Sequence, residues 1–254
     1  MTNATAHAGS NPFQIRSVPI SRPFIWLSRG WQDLLYHPLP SLAYGALISI
    51  MGMIVLIFNR HPYMIAASLS GFLLFGPIMT AGLCELSRRR DRGDKCDFDS
   101  SLHALRHNPR GLYGFAGGLL AISVIWFVLS SMVLQAALGE VAPSVVETIW
   151  GDVLGKLSNS QLLAYFGLGG VLAAVVFAIS VVAVPMILDL NADAGTAMGT
   201  SLRVFWSELP AMLLWGLLIV ALVALGFATM MVGMIVIVPL LGHATWQAYR
   251  DLVH

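Results

Sequence analysis

Residues 85–110, ELSRRRDRGDKCDFDSSLHALRHNPR, decide how the rest of the chain is read. This stretch holds seven of the fourteen Lys/Arg residues and five of the thirteen Asp/Glu. On either side of it the sequence runs for long distances without a charge. A dense group of Lys and Arg between apolar runs is what orients a polytopic membrane protein, because loops rich in these residues stay on the cytoplasmic side. Composition points the same way. Of 254 residues 57% are apolar and 11% charged, against about 45–50% and about 25% in an ordinary globular domain. Mean hydropathy is +0.77. The chain reads as an all-α, polytopic membrane helical bundle.

Five uncharged runs follow one another outside the basic stretch. Leu39–Phe58 has 20 residues and Met64–Cys84 has 21, each the length of one helical crossing of a core about 30 Å thick. Asn59–Pro62 joins them too tightly for anything but a hairpin. Gly111–Gly139 and Leu157–Leu188 are each most simply one span with an overhang. Leu209–Tyr249 has 41 residues, about 61 Å of helix, so it must fold back, and Gly226–Gly233 is the expected turn. The total is six transmembrane helices in three two-span hairpins. Both termini, residues 85–110 and residues 189–208 then share one side. That side carries twelve Lys/Arg, and the other carries only Arg60 and Lys156. The split places both termini in the cytoplasm of a bacterial cell, with the protein multi-pass in the inner membrane.

Residues 1–20 are polar, small and proline-containing and are expected to form a disordered tail ahead of a membrane domain at 21–254. They lack the basic start and apolar core of a secretory signal, so the first span is expected to direct insertion. Ser21–Tyr36 reads as an amphipathic helix with Ser21 as N-cap and Phe24, Leu27, Trp31 and Leu34 on one face. It fits the membrane surface, or alternatively a soluble-side helix packed on its own loops. Trp31, Tyr36, Tyr113, Trp206, Trp246 and Tyr249 fall near run ends, where amphipathic rings anchor at the interface.

Three segments resemble one another: GWQDLLYHPLPSLAYGAL from Gly30, SLHALRHNPRGLYGFAG from Ser101 and SLRVFWSELPAMLLWGLL from Ser201. Each is a short amphipathic helix, then Pro38, Pro109 or Pro210, then a span with an early glycine. Each partner span contains one proline, Pro77, Pro185 or Pro239. Pseudo-repeats at about 21–92, 97–188 and 193–254 account for this order, although any membrane hairpin favours proline where a helix begins. A proline inside a span frees a carbonyl that a neighbouring helix must satisfy, so these three are expected to face protein.

Few residues carry chemistry. His103 and His107 are i, i+4, but a solvated helix end explains them better than a metal, and no metal or cofactor is implied. His243 is the one histidine within an apolar run, where a buried interhelical hydrogen bond is its simplest role. Arg88, Arg89, Arg90 and Arg92 are candidate contacts for anionic lipid headgroups, diluted by the neighbouring aspartates. Pro77, Pro185, Pro239 and His243 are candidates to line a central site between hairpins. No phosphate-cradling loop, H-E-x-x-H, G-x-S-x-G or pair of intramembrane carboxylates is present in the sequence. No charged residue falls at the midplane of any expected span, which argues against ion-coupled transport.

The patterns DLLYHPLPSLAYG, GLCELSRRRDRG, SLHALRHNPR, PMILDLNADAGTAMGTSLR and PLLGHATWQAYRDLV together resemble an uncharacterised bacterial six-span integral-membrane family of unknown function. Its members are often labelled cytochrome c oxidase subunit I-like, and the chain is distantly similar to the membrane domains of some glycerophosphodiester phosphodiesterases. The resemblance spans about residues 18–253 and carries over no catalytic residue. A haem–copper catalytic subunit needs several intramembrane histidines, and only His243 qualifies here. The expected function is therefore a non-enzymatic accessory, assembly or scaffold protein in contact with the lipid bilayer and another integral-membrane complex, such as a respiratory one of oxidase type. The alternative is a binding or carrier protein for a lipid or neutral amphiphile. No nucleic-acid partner is expected.

Overall fold

The computed structural model describes residues 13–58, 76, 79–138 and 158–253, and among these it is helical almost throughout. The helices are α1 Arg22–Tyr36, α2 Pro38–Phe58, α3 79–92, α4 Phe98–Leu102, α5 Ala104–His107, α6 Pro109–Leu138, α7 Asn159–Ser180, α8 Ala183–Asp189, α9 Ala194–Ser207, α10 Leu209–Ala228 and α11 Met234–Leu252.

Each surface-type helix stops two or three residues before a proline. His37, Asn108 and Glu208 carry the breaks, with φ/ψ of −128/65, −140/72 and −116/36°. At His37 and Asn108 the following proline disfavours the α conformation, and at all three breaks proline fits the first turn of the next helix. At the first break the chain turns by 107° between α1 and α2. At the end of α10 the chain reverses at Thr229–Gly233, inside the expected 226–233. Met230 and Met231 take positive φ there, and the Thr229 hydroxyl donates to the Gly226 carbonyl.

Pro109–Leu129, Gly167–Asp189 and Leu209–Ala228 are long and apolar enough to cross a membrane, and α1 with α2 makes a fourth across their bend. Only 22% of the last of the three is buried inside the protein. Leu213, Leu217, Val220 and Leu225 point outward from α10, and Val124, Ile125 and Val128 from α6. Such faces require an apolar solvent. The six expected spans are not all represented. Most of Met64–Cys84, with Pro77, lies outside the described residues, as do Asn59–Pro62 and residues 139–157. Helix α11 carries Arg250 and Asp251 in its final turn.

Four expectations are corrected. Residues 85–92 are not loop but the continuation of α3, because Glu85 pairs with Arg88 and Arg89 one turn on. Gly93, at φ 72°, ends the helix with Gly93 N–H donating to the Arg90 carbonyl and Asp94 N–H to that of Arg89, respectively the five-to-two and six-to-one bonds of a Schellman stop. Residues 13–18 do not belong to a free tail. Arg16 N–H donates to the Leu252 carbonyl, and Val18 N–H and the Ser17 hydroxyl bond Glu208. Residues 1–12 lie outside the described residues. Helix α1 splits the expected face: Phe24 and Trp31 are exposed, but Leu34 is buried with Trp26, Gly30 and Asp33, and Ser21 makes no side-chain cap. Trp246 and Tyr249 are buried rather than interfacial, and they donate to Asp91 and Asp189.

Helix α11 is the pillar of the bundle. A Cβ on Gly30 would lie 2.7 Å from the Ala244 nitrogen, and one on Gly45 only 2.0 Å from the Ile235 carbonyl oxygen. Glycine at these two crossings lets α1 and α2 lie directly on the α11 backbone. The α7–α8 run is interrupted at Val181–Val182, four residues before Pro185, where the missing N–H leaves a carbonyl unpaired. Ser201 of α9 enters this gap. Its hydroxyl accepts from Val182 N–H and donates to the Ala178 carbonyl.

Candidate functional site

Two features lie between the helices. The first is a chain of buried polar groups that joins α1, α2, α3 and α11. Arg90 is ion-paired to Asp33, so Asp33 can only accept. Ser87 donates to Asp33 Oδ2 at 2.7 Å. Its oxygen is then the acceptor for His243 Nδ1 at 2.8 Å, which leaves Nε2 to accept from Ser41 at 2.9 Å. Gln247 also donates to Asp33, at 2.9 Å. The order Ser–His–Ser–Asp has the polarity of a nucleophile relay. Ser41 and His243 are wholly buried, however, and Ser87 and Asp33 nearly so. The chain thus fastens four helices together and satisfies polar groups that would otherwise be costly. Beside it, burial and the Arg90 charge push His37 below the ordinary histidine range, against the pull of Asp33. Its Nε2 has no hydrogen-bond partner among the described residues.

The same end of the bundle gathers most of the basic residues, each against a carboxylate. Arg88 and Arg89 hold Glu85 at 2.7 and 2.8 Å, Arg92 reaches Asp189 at 3.4 Å, and Arg22 and Arg29 share Asp251. All four arginines considered as headgroup contacts are therefore paired inside the protein, and Arg88 is largely buried. Arg16, Arg106, Arg110 and Arg203 are exposed and make no ion pair among the described residues.

The second feature is a cavity of about 220 Å³ at the meeting of α3, α6, α7, α8, α10 and α11. Phe115 and Leu119 of α6, Val184 of α8 and Ile219 of α10 form apolar wall. The residues on its wall with polar side-chain atoms are Thr80, Ser180, Thr245 and Trp215, and no charged side chain lines it among the described residues. Trp215 and Leu119 stand six and ten residues past the starts of α10 and α6, about 9 and 15 Å along those helices.

Of the residues expected at a central site, Pro185, Pro239 and His243 are all buried. None of the three lines the cavity, and Pro77 lies outside the described residues. The lining hydroxyls were not singled out from the sequence. Their signal is slight, since one Ser or Thr in an apolar helix ordinarily bonds its own backbone.

A chain that is helical almost throughout its described residues, and whose long helices turn apolar faces outward, is an integral membrane protein. A family model described as a predicted integral membrane protein, DUF2189, matches residues 64–189. That stretch is similar to an uncharacterised membrane family, and it carries the α3, α6, α7 and α8 parts of the cavity wall. Neither an oxidase-labelled family nor a glycerophosphodiester phosphodiesterase domain appears in that match. No curated protein and no solved structure matches the chain.

Proposed function

We propose that this protein is a six-span protein of the bacterial inner membrane, with both termini cytoplasmic, that binds or carries a neutral amphiphile and is not an enzyme. The observation that carries the reading is the cavity, apolar in most of its wall and without charge among its described lining. Its volume is about seven times the ~30 Å³ share of one water in the liquid, enough for part of a lipid chain with a small head. The orientation draws support from the ion pairs. Arg90–Asp33, Arg92–Asp189, Arg250–Asp91 and Arg22–Asp251 each join residues that the six-span reading assigns to the same side. In that orientation the cavity sits in the cytoplasmic half of the bilayer. The accessory or scaffold role in a respiratory complex rests on composition and resemblance, and the cavity gives the binding reading a physical basis beyond these.

The test is native mass spectrometry of the protein released from bacterial membranes in mild detergent. A neutral lipid is expected to copurify near one per chain and to be lost from Ile219→Trp, which fills the cavity. Equal lipid content in the two proteins, or none in either, would overturn the reading.

A further inference from the structure

Arg88, Arg89, Arg90 and Arg92 are committed to carboxylates of the protein. Arg106 and Arg110, on either side of the α5–α6 break, are not. Both are exposed, and neither side chain makes an ion pair or hydrogen bond among the described residues. The sequence also keeps carboxylates away from them. From Ser100 to Gly139 there is no Asp or Glu, and Arg106 and Arg110 are the only Lys or Arg. Residues 1–12, 59–75 and 77–78 have no Asp or Glu either. Glu140 follows the far end of α6, whose last residue, Leu138, is about 40 Å of helix from Arg110. On the other side Asp97 is paired with Lys95 at 3.2 Å, and Asp99 stands exposed in the first turn of α4, seven residues before Arg106.

These two cations also stand where headgroups would. The apolar span of α6 begins at Pro109, so Arg110 is its second residue. Asn108 donates to the Ile187 and Ala192 carbonyls at 3.3 and 2.9 Å, which tie this start to the end of the Gly167–Asp189 span. Tyr113, one turn into α6 from Arg110, is 66% exposed, and Phe98 and Leu102 expose apolar side chains ahead of Arg106. An outward tyrosine at a span end anchors at the interface. An arginine beside it can lay its stem on apolar surface and keep its guanidinium among the headgroups. We propose that the α5–α6 junction binds the phosphate of an anionic phospholipid, with Arg106 and Arg110 as donors and Tyr113 against the lipid below them. A guanidinium presents paired N–H donors that match phosphate oxygens. A zwitterionic lipid carries an ammonium of its own, so the unpaired arginines favour the anionic one. One cation at a charged bilayer surface is worth about a fivefold preference. The cavity and its ligand play no part in this.

The experiment places the photocrosslinker p-benzoylphenylalanine at Tyr113 of the full chain, in nanodiscs of equal phosphatidylglycerol and phosphatidylethanolamine. Mass spectrometry reads which lipid is attached. Phosphatidylglycerol is expected to exceed phosphatidylethanolamine in the adducts by about fivefold or more. The double variant Arg106→Gln, Arg110→Gln should bring that ratio close to one, and Arg106→Lys, Arg110→Lys should keep most of it. Lys95→Gln removes an exposed cation on the loop before α4 and should leave the ratio unchanged, as should the cavity-filling Ile219→Trp. Adducts at the ratio of the mixture, or an enrichment that survives the double glutamine variant, would overturn the proposal. So would crosslinks to protein in place of lipid, which would make this face a protein contact. Each of these results leaves the reading of the cavity standing.

Discussion

Replacing Gly45 by alanine should unfasten the centre of the molecule. The added Cβ would stand 2.0 Å from the Ile235 carbonyl oxygen, 2.6 Å from its carbon and 2.8 Å from its Cα. All three are backbone atoms, so no side-chain rotation relieves the contact. Ordinary van der Waals contact begins near 3.4 Å, and α2 and α11 must separate by about 1.4 Å to reach it. Ser41 and Ser49 flank Gly45 by one turn on the same helix. Their bonds to His243, at 2.9 Å, and to the Met231 carbonyl, at 2.8 Å, would both be pulled beyond reach. Overpacking costs about 1–3 kcal/mol and each lost buried hydrogen bond about 1 kcal/mol, so the substitution should cost about 3–5 kcal/mol. Gly117→Ala is the control. No atom lies within 4 Å of its Cβ position, and helix propensity favours alanine there by about 1 kcal/mol. Denaturant unfolding in mild detergent, followed by circular dichroism, measures both. A Gly45→Ala protein as stable as the wild type would show that α2 does not rest on α11 in this way.

Asp33→Ala strands Arg90, Ser87 and Gln247 together and should cost about 3–5 kcal/mol. Asp33→Asn, which keeps an acceptor for Ser87, should cost less, and the same unfolding assay ranks the two. Acid should weaken the start of α4. The Ser100 backbone N–H, the Ser100 hydroxyl and then Lys95 hold the Asp97 carboxyl down to about 2, below its ordinary 3.8. A depressed folded-state value means the cap contributes fully above pH about 4 and is lost as pH falls towards 2. Melts between pH 6 and 2 should therefore show an acid-dependent loss that is smaller in Asp97→Asn. A maleimide that cannot cross membranes should label Cys96, which is partly exposed in the segment after α3, in inverted vesicles and not in intact spheroplasts. The reverse pattern would invert the topology.

The parts of the fold legible in the sequence were those governed by local chemistry. Proline gave away the breaks at His37, Asn108 and Glu208, and a run too long for one crossing gave away the reversal at Thr229–Gly233. What stayed hidden depends on which groups meet across the bundle. Asp33 reads as the polar face of a surface helix until Ser87, Arg90 and Gln247 are placed around it. Trp246 and Tyr249 read as interfacial anchors because nothing local reveals Asp91 and Asp189 as their acceptors. The basic stretch was legible as a concentration of charge between apolar runs, but its pairing with Glu85, Asp33 and Asp189 was not. The cavity was the least legible feature. Its polar groups are isolated hydroxyls and one tryptophan, each unremarkable in its own helix.

The central place of α11 has a consequence for biosynthesis. Gly45 leaves the ribosome 190 residues before Ile235, the residue whose backbone it is shaped to receive. At about 5–20 residues per second, that interval is about 10–40 s. Throughout it the early helices carry Asp33, Ser41 and two bare glycine faces with no pillar to close on. The chain must therefore wait in the membrane as an open assembly, shielded by lipid or by an insertion factor, and the last helix to arrive is the one that locks the first.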